Sequence, residues 1–294
     1  MMHEKMAAIG KNTKSSCHLR SNSLPSAAHP LVSQFEGNLQ RLKGSEATSS
    51  LSSSSLSHKL NDMQDLHDCI DKLLQLPIEQ ATLAQTCHDK LVDELLERSL
   101  ILLEICSTAE DFLLQSKESM HKLQSVIRRK RGNETEFEVE GAKYLALRKM
   151  MKKKIRKAVE NLKAMKNENN DSSTSPVLSF LKEAEAITLS SLECLLLFIS
   201  DPKGHSKNSR WSAITKLMQP KREVCDSQEP NKNEFVKVDA ALQSLINHRP
   251  SFGENFQSDM ENLKMCIQDL EMGVEQLSRK LIRNRVTLLN IFNH

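Results

Sequence analysis

Apolar residues recur every three or four positions along most of this 294-residue chain, which is the spacing of amphipathic helices. No stretch shows a convincing alternation of β-branched and polar residues. The pattern therefore predicts an all-α fold, an elongated multi-helix bundle with a C-terminal coiled-coil-like helix. Polar gaps predict four parts: a disordered arm over 1–28, a helical bundle over 29–200, a flexible linker over 201–233 with a short helix near 211–218, and C-terminal helices over 234–294.

The same spacing places individual helices within the predicted bundle. One helix follows Pro30, and a second ends before Pro77, because proline lacks the N–H group that a continuing helix requires. Pro176 occupies a position that a first helical turn tolerates. Between these prolines, the pattern predicts a long helix or two in tandem over 88–131 and a further helix over 134–166.

The strongest periodic signal lies in the C-terminal segment. Steps of four and three from Phe256 to Ile291 meet a polar residue only at Asn284. Such a seam fits a parallel homodimer through residues 256–291, but heptads also describe helices that pack inside a single bundle. We favour packing within the chain and keep the homodimer as the alternative.

The sequence argues against a nucleotide-binding enzyme, a membrane-spanning protein and a secreted disulfide-linked protein. Only 4% of the residues are aromatic, and Gly-rich phosphate-binding loops are absent from the sequence. The longest apolar stretch, 187–199, contains Glu193 and is too short to cross a bilayer. The seven cysteines never form a CxxC pair, which indicates a reducing compartment rather than a secreted disulfide framework. We expect a cytoplasmic protein, with the nucleus and the plastid as open alternatives.

Charge is divided unevenly along the chain. Residues 58–119 hold 13 acidic and 5 basic side chains, whereas residues 143–166 hold 10 basic and one acidic. This basic segment fits an anionic lipid surface, nucleic acid phosphates, a nuclear import signal or a solvated helix face. Aromatic residues are not interleaved with the basic ones, so nucleic acid is disfavoured. The candidate basic surface opposite the apolar stripe consists of Lys149, Lys152, Lys153, Arg156 and Lys163.

A short motif near the N-terminus predicts docking that depends on phosphorylation. Arg20, Ser21, Ser23 and Pro25 match the R-S-x-S-x-P pattern that 14-3-3 proteins bind once the second serine is phosphorylated. Phosphate on Ser23 would add nearly two negative charges for an arginine cluster to bind. The alternative is an N-terminal arm that packs on the bundle and is never modified.

Catalytic chemistry has little support in the sequence. The histidines and cysteines lack the paired spacing of a tetrahedral metal site, and no hydrolase or protease motif occurs. Four aspartates recur at every third position, which could suggest carboxylate chemistry. Because a step of three falls short of a full helical turn, they spread around a polar edge of the helix, and we interpret them as a solvated face. We expect neither an enzyme nor a protein with a cofactor or metal. These aspartates are Asp62, Asp65, Asp68 and Asp71.

Several longer stretches resemble the plant-specific helical family grouped with the BYPASS developmental proteins. The resemblance runs from about His18 to the last residue, after an N-terminal extension, and Leu91 stands where the family usually has an aromatic. It implies a role in root and shoot development that restrains a long-distance signal, and it carries over no catalytic residue. The stretches are HLRSNSLPSAAHPL from His18, LNDMQDLHDCIDKLLQLP from Leu60, SLILLEICSTAEDFLLQSKESMHKLQSVIRRKRG from Ser99, WSAITKLM from Trp211, VDAAL from Val238 and RVTLLNIFNH from Arg285.

Two function classes follow from these observations. The first is a non-enzymatic plant regulatory protein that acts in root and shoot development through protein contacts, with Ser23 as a regulated docking site. The second is a peripheral membrane or trafficking adaptor whose basic helix binds anionic lipid.

Overall fold

A computed structural model describes residues 29–47, 52–129, 134–166, 175–200, 233–248 and 254–293. Within these ranges the chain is helical, without a strand, and it packs as a multi-helix bundle, which confirms the predicted fold class. The expected arm over 1–28 and most of the expected linker over 201–233 lie outside the described residues. The described helices are α1 (Pro30–Ala47), α2 (Ser53–Leu74), α3 (Pro77–Thr86), α4 (Asp89–Arg128), α5 (Glu134–Lys166), α6 (Pro176–Ser200), α7 (Glu234–His248) and α8 (Glu254–Phe292).

Local sequence signals account for several helix ends. The Ser52 hydroxyl accepts a hydrogen bond from the Ser55 amide at 3.1 Å and so caps α2. Asn233 caps α7 in the same way, since its side-chain oxygen accepts from the Val236 amide at 2.8 Å. Pro77 does more than follow α2: it opens α3, a helix that the sequence pattern did not predict. The helix predicted over 88–131 is a single helix in the described residues, α4 (Asp89–Arg128), rather than two in tandem.

The long helix α8 makes its most extensive contacts with α2 and α4. Helix α2 runs parallel to α8, because the contacts advance in the same direction along both helices. Gln64 contacts Gly273, and one turn further along α2, Asp68 contacts Lys280. Helix α4 runs antiparallel, because Lys117 pairs with Glu271 whereas Ser99 contacts Arg285. Helices α5 and α6 pack on α4, and α7 bridges α5 and α8.

The heptad seam of α8 lies inside this bundle. All eleven seam positions from Phe256 to Ile291 are buried within the single chain, including Asn284. Close approach of α2 to α8 depends on Gly273, because a Cβ there would lie 2.8 Å from Cδ1 of Leu60. The C-terminal helices therefore pack back on the bundle, and a homodimer through residues 256–291 stays a prediction.

Candidate functional site

The outer surface of α5 carries the candidate basic residues. Lys149, Lys153 and Arg156 of that set are exposed, and Lys157 is exposed beside them. These four side chains lie within about a third of the helix circumference, opposite the buried stripe of α5. In the part of the chain that the structure describes, no carboxylate forms an ion pair with any of them. We call Lys149, Lys153, Arg156 and Lys157 the α5 cationic face.

Lys152 departs from the predicted set. Its side chain is half-buried, and Nζ lies 3.0 Å from Oδ2 of Asp239 on α7. Lys152 thus keeps part of its side chain in solvent, but a neighbouring helix supplies its counter-charge. Lys163 lies on α5, but its side chain is outside the described residues.

A buried charged cluster joins α5, α6 and α7. The Arg148 side chain is 2% exposed, and its Nε donates to both carboxylate oxygens of Asp239, at 3.1 and 3.3 Å. Its Nη2 donates to the carbonyl oxygen of Ile199 at 2.7 Å, and its guanidinium lies 4.5 Å from the Phe235 ring centroid. We call Arg148, Asp239 and Lys152 the Arg148 cluster.

The Arg148 cluster caps the C-terminal end of α6. The last carbonyls of a helix have no partner within it, and they carry partial negative charge. Arg148 binds the Ile199 carbonyl, and Nδ2 of Asn233 donates to the Phe198 carbonyl at 2.7 Å. Burial raises the pKa of Tyr144, which lies in this region, although the charge of Arg148 opposes the change. These contacts hold α6, α5 and the start of α7 together.

A second buried network, without charges, crosses the centre of the bundle. Nδ2 of Asn284 on α8 lies 2.9 Å from Nδ1 of His67 on α2. Nε2 of His67 lies 2.9 Å from the Thr188 hydroxyl on α6, which donates to the Ala184 carbonyl at 2.7 Å. We call Asn284, His67 and Thr188 the His67 chain.

The hydrogen bonds of the His67 chain define its donors. Because Thr188 donates to Ala184, its oxygen accepts from Nε2–H of His67, and Nδ1 of His67 then accepts from the Asn284 amide. This arrangement uses a neutral imidazole. Full burial lowers the pKa of His67 from 6.5 to about 4, with partial opposition from the charge of Asp68. His67 is therefore uncharged at neutral pH.

The prediction that the four regularly spaced aspartates of α2 form a solvated face was wrong for Asp71, whereas the other three remain exposed or partly exposed. Asp71 is buried and accepts from Thr287 at 3.1 Å and from Gln75 at 3.0 Å. Asp68 pairs with Lys280 at 2.7 Å. Asp62 and Asp65 lie on the other side of α2 and pair with Arg41 of α1. The aspartates connect α2 to its neighbours, which their spacing alone did not reveal.

Neither a disulfide nor a metal-binding cluster occurs in the described residues. The cysteines among them are free, and burial in the core raises the pKa of Cys106 to about 12. In those same residues, no group of three His, Cys, Asp or Glu side chains is placed to hold a metal ion.

The predicted 14-3-3 motif, with Arg20, Ser21, Ser23 and Pro25, lies outside the described residues. The helices that the structure describes include none that is both long enough and apolar enough to cross a membrane.

Comparison with known proteins identifies the family. The family model described as Protein BPS1 matches residues 59–291, which is well over half of the chain. The chain therefore belongs to the Protein BPS1 family, the BYPASS family that its sequence resembles. Neither the curated proteins nor the solved structures include a significant match.

Proposed function

We propose that this chain is a non-enzymatic interaction protein that acts in root and shoot development. The observation that carries this proposal is that the polar side chains of the bundle interior bind one another, whereas a set of surface cations has no such partner in the part of the chain that the structure describes. The buried polar side chains of the Arg148 cluster and the His67 chain bind other helices of the bundle, whereas the α5 cationic face points to solvent without an ion-pair partner in the described residues. Membership of the Protein BPS1 family supports the developmental role.

The proposal assigns the interior a structural task and the surface the task of recognition. A catalytic site would instead need polar groups that converge on a space for substrate. The groups of the Arg148 cluster converge on the end of α6, and those of the His67 chain converge on one another.

Capture of partners from root and shoot tissue tests this function. The full chain, a Ser23→Ala variant and a variant with Lys149, Lys153, Arg156 and Lys157 all changed to Gln are compared by affinity purification and mass spectrometry. We expect a reproducible set of protein partners with the wild-type chain. A wild-type chain that captures none, or that fails to restore root and shoot growth in plants lacking it, would contradict the proposal.

Within this function, Ser23 is proposed as a regulated docking residue for a 14-3-3 protein. The support is the motif itself, since phosphate on Ser23 would offer a dianion to an arginine cluster. Peptides covering residues 18–31 are compared with phosphate on Ser23, with phosphate on Ser21 and without phosphate. We expect binding only with phosphate on Ser23. Equal binding of the Ser21 and Ser23 phosphopeptides would refute it.

A second candidate function is that of a peripheral adaptor on anionic membranes. The specific observation in its favour is the exposure of four cations on one face of α5. Each lysine or arginine near an anionic bilayer contributes about 1 kcal/mol of binding free energy, and this contribution weakens with salt.

Vesicle co-sedimentation tests the membrane function. Phosphatidylcholine vesicles with and without phosphatidylserine are compared, using the wild-type chain and the four-fold Gln variant of the α5 cationic face. The matched control removes the same charge from exposed lysines elsewhere, through Gln at Lys72, Lys90, Lys122 and Lys237. We expect binding to drop at least tenfold for the α5 variant and much less for the control. Equal losses for both variants would mean that net charge, not this face, governs binding.

A further inference from the structure

Helix α8 has a second line of apolar residues on the side that faces solvent. Met265 and Met272 are each 56% exposed, and Ile282 and Val286 are each 49% exposed. Four of the nine large hydrophobic side chains that are exposed in the described residues therefore lie on this one helix. We call Met265, Met272, Ile282 and Val286 the outer line of α8.

The outer line follows the spacing of a helix–helix contact. Steps of seven residues lead from Met265 to Met272, Arg279 and Val286, so these positions stay on one side of the helix over about 30 Å. Arg279 is the charged position within this repeat. Ile282 lies one turn before Val286 at the edge of the same side. A repeat of this kind on an exposed face is typical of a surface that another helix covers.

Charges on the same face change sign near its midpoint. Asp269 and Glu275 are exposed on the N-terminal half, and Glu261 is exposed there but pairs with Lys264 of the same helix. Arg279 and Arg283 are exposed on the C-terminal half, where Arg283 also lies 3.8 Å from Asp68 of α2. Between them, Glu275 pairs with Arg279 of the same helix. The face therefore carries a net negative charge before residue 276 and a net positive charge after it.

We propose that the outer line of α8 binds the outer line of a second copy of this chain, with the two helices antiparallel and the two-fold axis near Gln276. In this arrangement the acidic half of each helix faces the basic half of the other. A parallel arrangement would place Glu275 against Glu275 and Arg279 against Arg279, which costs free energy through like-charge repulsion. The charge pattern therefore selects both the partner and the orientation.

The antiparallel register also matches the apolar residues. With the axis between positions 275 and 276, Met265 of one copy faces Val286 of the other, and Met272 faces the aliphatic part of Arg279. Glu275 lies within one turn of Arg279 of the second copy, and Asp269 lies within one turn of its Arg283. Methionine suits such a surface because its flexible side chain adapts to the opposing helix.

This interface differs from the homodimer that the heptad seam suggested. That seam is buried against α2 and α4, so a dimer through it would require the bundle to open. The outer line consists of side chains that are already exposed, so two folded chains can associate without rearrangement. A contact between single helices of this length is smaller than an obligate interface, and we expect a reversible dimer.

Sedimentation velocity of the full chain over a range of concentrations tests the dimer. We expect Arg279→Glu to raise the dimer dissociation constant at least tenfold, because it places acidic residues opposite one another. The double variant Glu275→Arg with Arg279→Glu should restore association, since it exchanges the charges on both copies. Lys122→Glu on the exposed side of α4 is the matched control and should leave association unchanged.

Cysteine crosslinking tests the orientation. Near the axis, Gln276→Cys should crosslink to itself under oxidation. Met265→Cys should not, because its two copies would lie about 30 Å apart along the helices, but a mixture of Met265→Cys and Val286→Cys chains should crosslink. The wild-type chain, with its native cysteines, is the control.

Three results would overturn the proposal. A chain that stays monomeric at every concentration would show that the outer line does not bind a second copy. A dimer that Arg279→Glu leaves unchanged would form through another surface. Self-crosslinking of Met265→Cys would indicate a parallel dimer.

Discussion

The Arg148 cluster and the His67 chain both join three helices through buried polar side chains, but they handle charge differently. The Arg148 cluster keeps its charges: Asp239 is 14% exposed and Lys152 is 31% exposed, so solvent reaches one side of the ion pairs. The His67 chain lies wholly inside and uses neutral groups. The difference shows that an ion pair is retained where its desolvation is incomplete, whereas the centre of the bundle has neutral hydrogen bonds.

Each network also leaves one polar atom unpaired. In the described residues, Nη1 of Arg148 and Oδ1 of Asn284 have no hydrogen-bond partner. A buried polar atom without a partner costs free energy, so the loss of a further hydrogen bond at Arg148 or Asn284 should destabilise the fold strongly. Replacing one side chain of each network at a time, and measuring the free energy of unfolding, therefore shows how the charged and the neutral network differ.

The largest effect should come from Arg148→Ala. The change leaves Asp239 with only Lys152 as a partner and removes the bond to the Ile199 carbonyl, so we expect the free energy of unfolding to fall by about 3–5 kcal/mol. Urea denaturation followed by circular dichroism measures the loss. Arg156→Ala on the exposed side of the same helix is the control, with an expected change within about 0.5 kcal/mol. Similar losses for the two variants would show that burial of Arg148 is unimportant.

Acid should weaken the His67 chain with a defined pH dependence. The pKa of His67 is about 4 in the folded state and has its ordinary value of 6.5 in the unfolded chain, so between these values the unfolded chain binds a proton that the folded chain does not. The contribution of neutral His67 to the free energy of unfolding is complete above pH 6.5. It falls by about 3 kcal/mol in total as the pH decreases from 6.5 to about 4. Carboxylates also titrate in this range, so the measurement is the difference between wild type and His67→Gln, followed as unfolding free energy against pH. A difference that does not vary with pH would contradict neutral burial of His67.

Asn284→Leu should have an intermediate effect. It leaves Nδ1 of His67 without its donor, and we expect a loss of about 2 kcal/mol in the free energy of unfolding. Asn290→Leu on the exposed side of α8 is the matched control and should change stability little. A double variant that also replaces His67 with Leu should recover part of the loss, because no polar ring then remains unpaired. If the double variant loses as much as the two single variants combined, the two side chains are not coupled.

The smallest effect should come from Lys152→Ala. Solvent reaches this side chain, and Arg148 still binds Asp239, so we expect a loss below about 1 kcal/mol. High salt should reduce the difference between wild type and variant further. A loss as large as that of Arg148→Ala would mean that both cations are equally necessary to the Arg148 cluster.

The sequence was sufficient for the helices because their signals are local. Spacing of three and four from Tyr144 to Leu162 predicts the buried stripe of α5, and its principal positions lie against the bundle. The same argument predicts the seam of α8. Pro77 shows where local signals mislead, since one proline both follows α2 and opens α3.

Contacts between helices were harder to predict, because they join residues far apart in the chain. Arg148 and Lys152 are one turn apart in a basic segment, and nothing in their spacing indicates that both pair with the same carboxylate. Helix α7 brings Asp239 to both of them, so Arg148 is buried and Lys152 is half-buried. His67 had no distinguishing neighbour in the sequence, but it binds residues more than 100 positions away. A polar seam residue such as Asn284 was the one available signal, since a buried amide requires a partner.

Periodicity along the chain determined that this protein is a helical bundle, and its sequence motifs determined the family to which it belongs. Those properties depend on residue spacing, which the sequence displays directly. Tertiary structure alone decided which charges are buried, that Lys152 pairs with Asp239 of α7, and which helices cover the seam of α8. Desolvation and ion pairing depend on the neighbours that each helix acquires on folding, and spacing within one helix does not specify them.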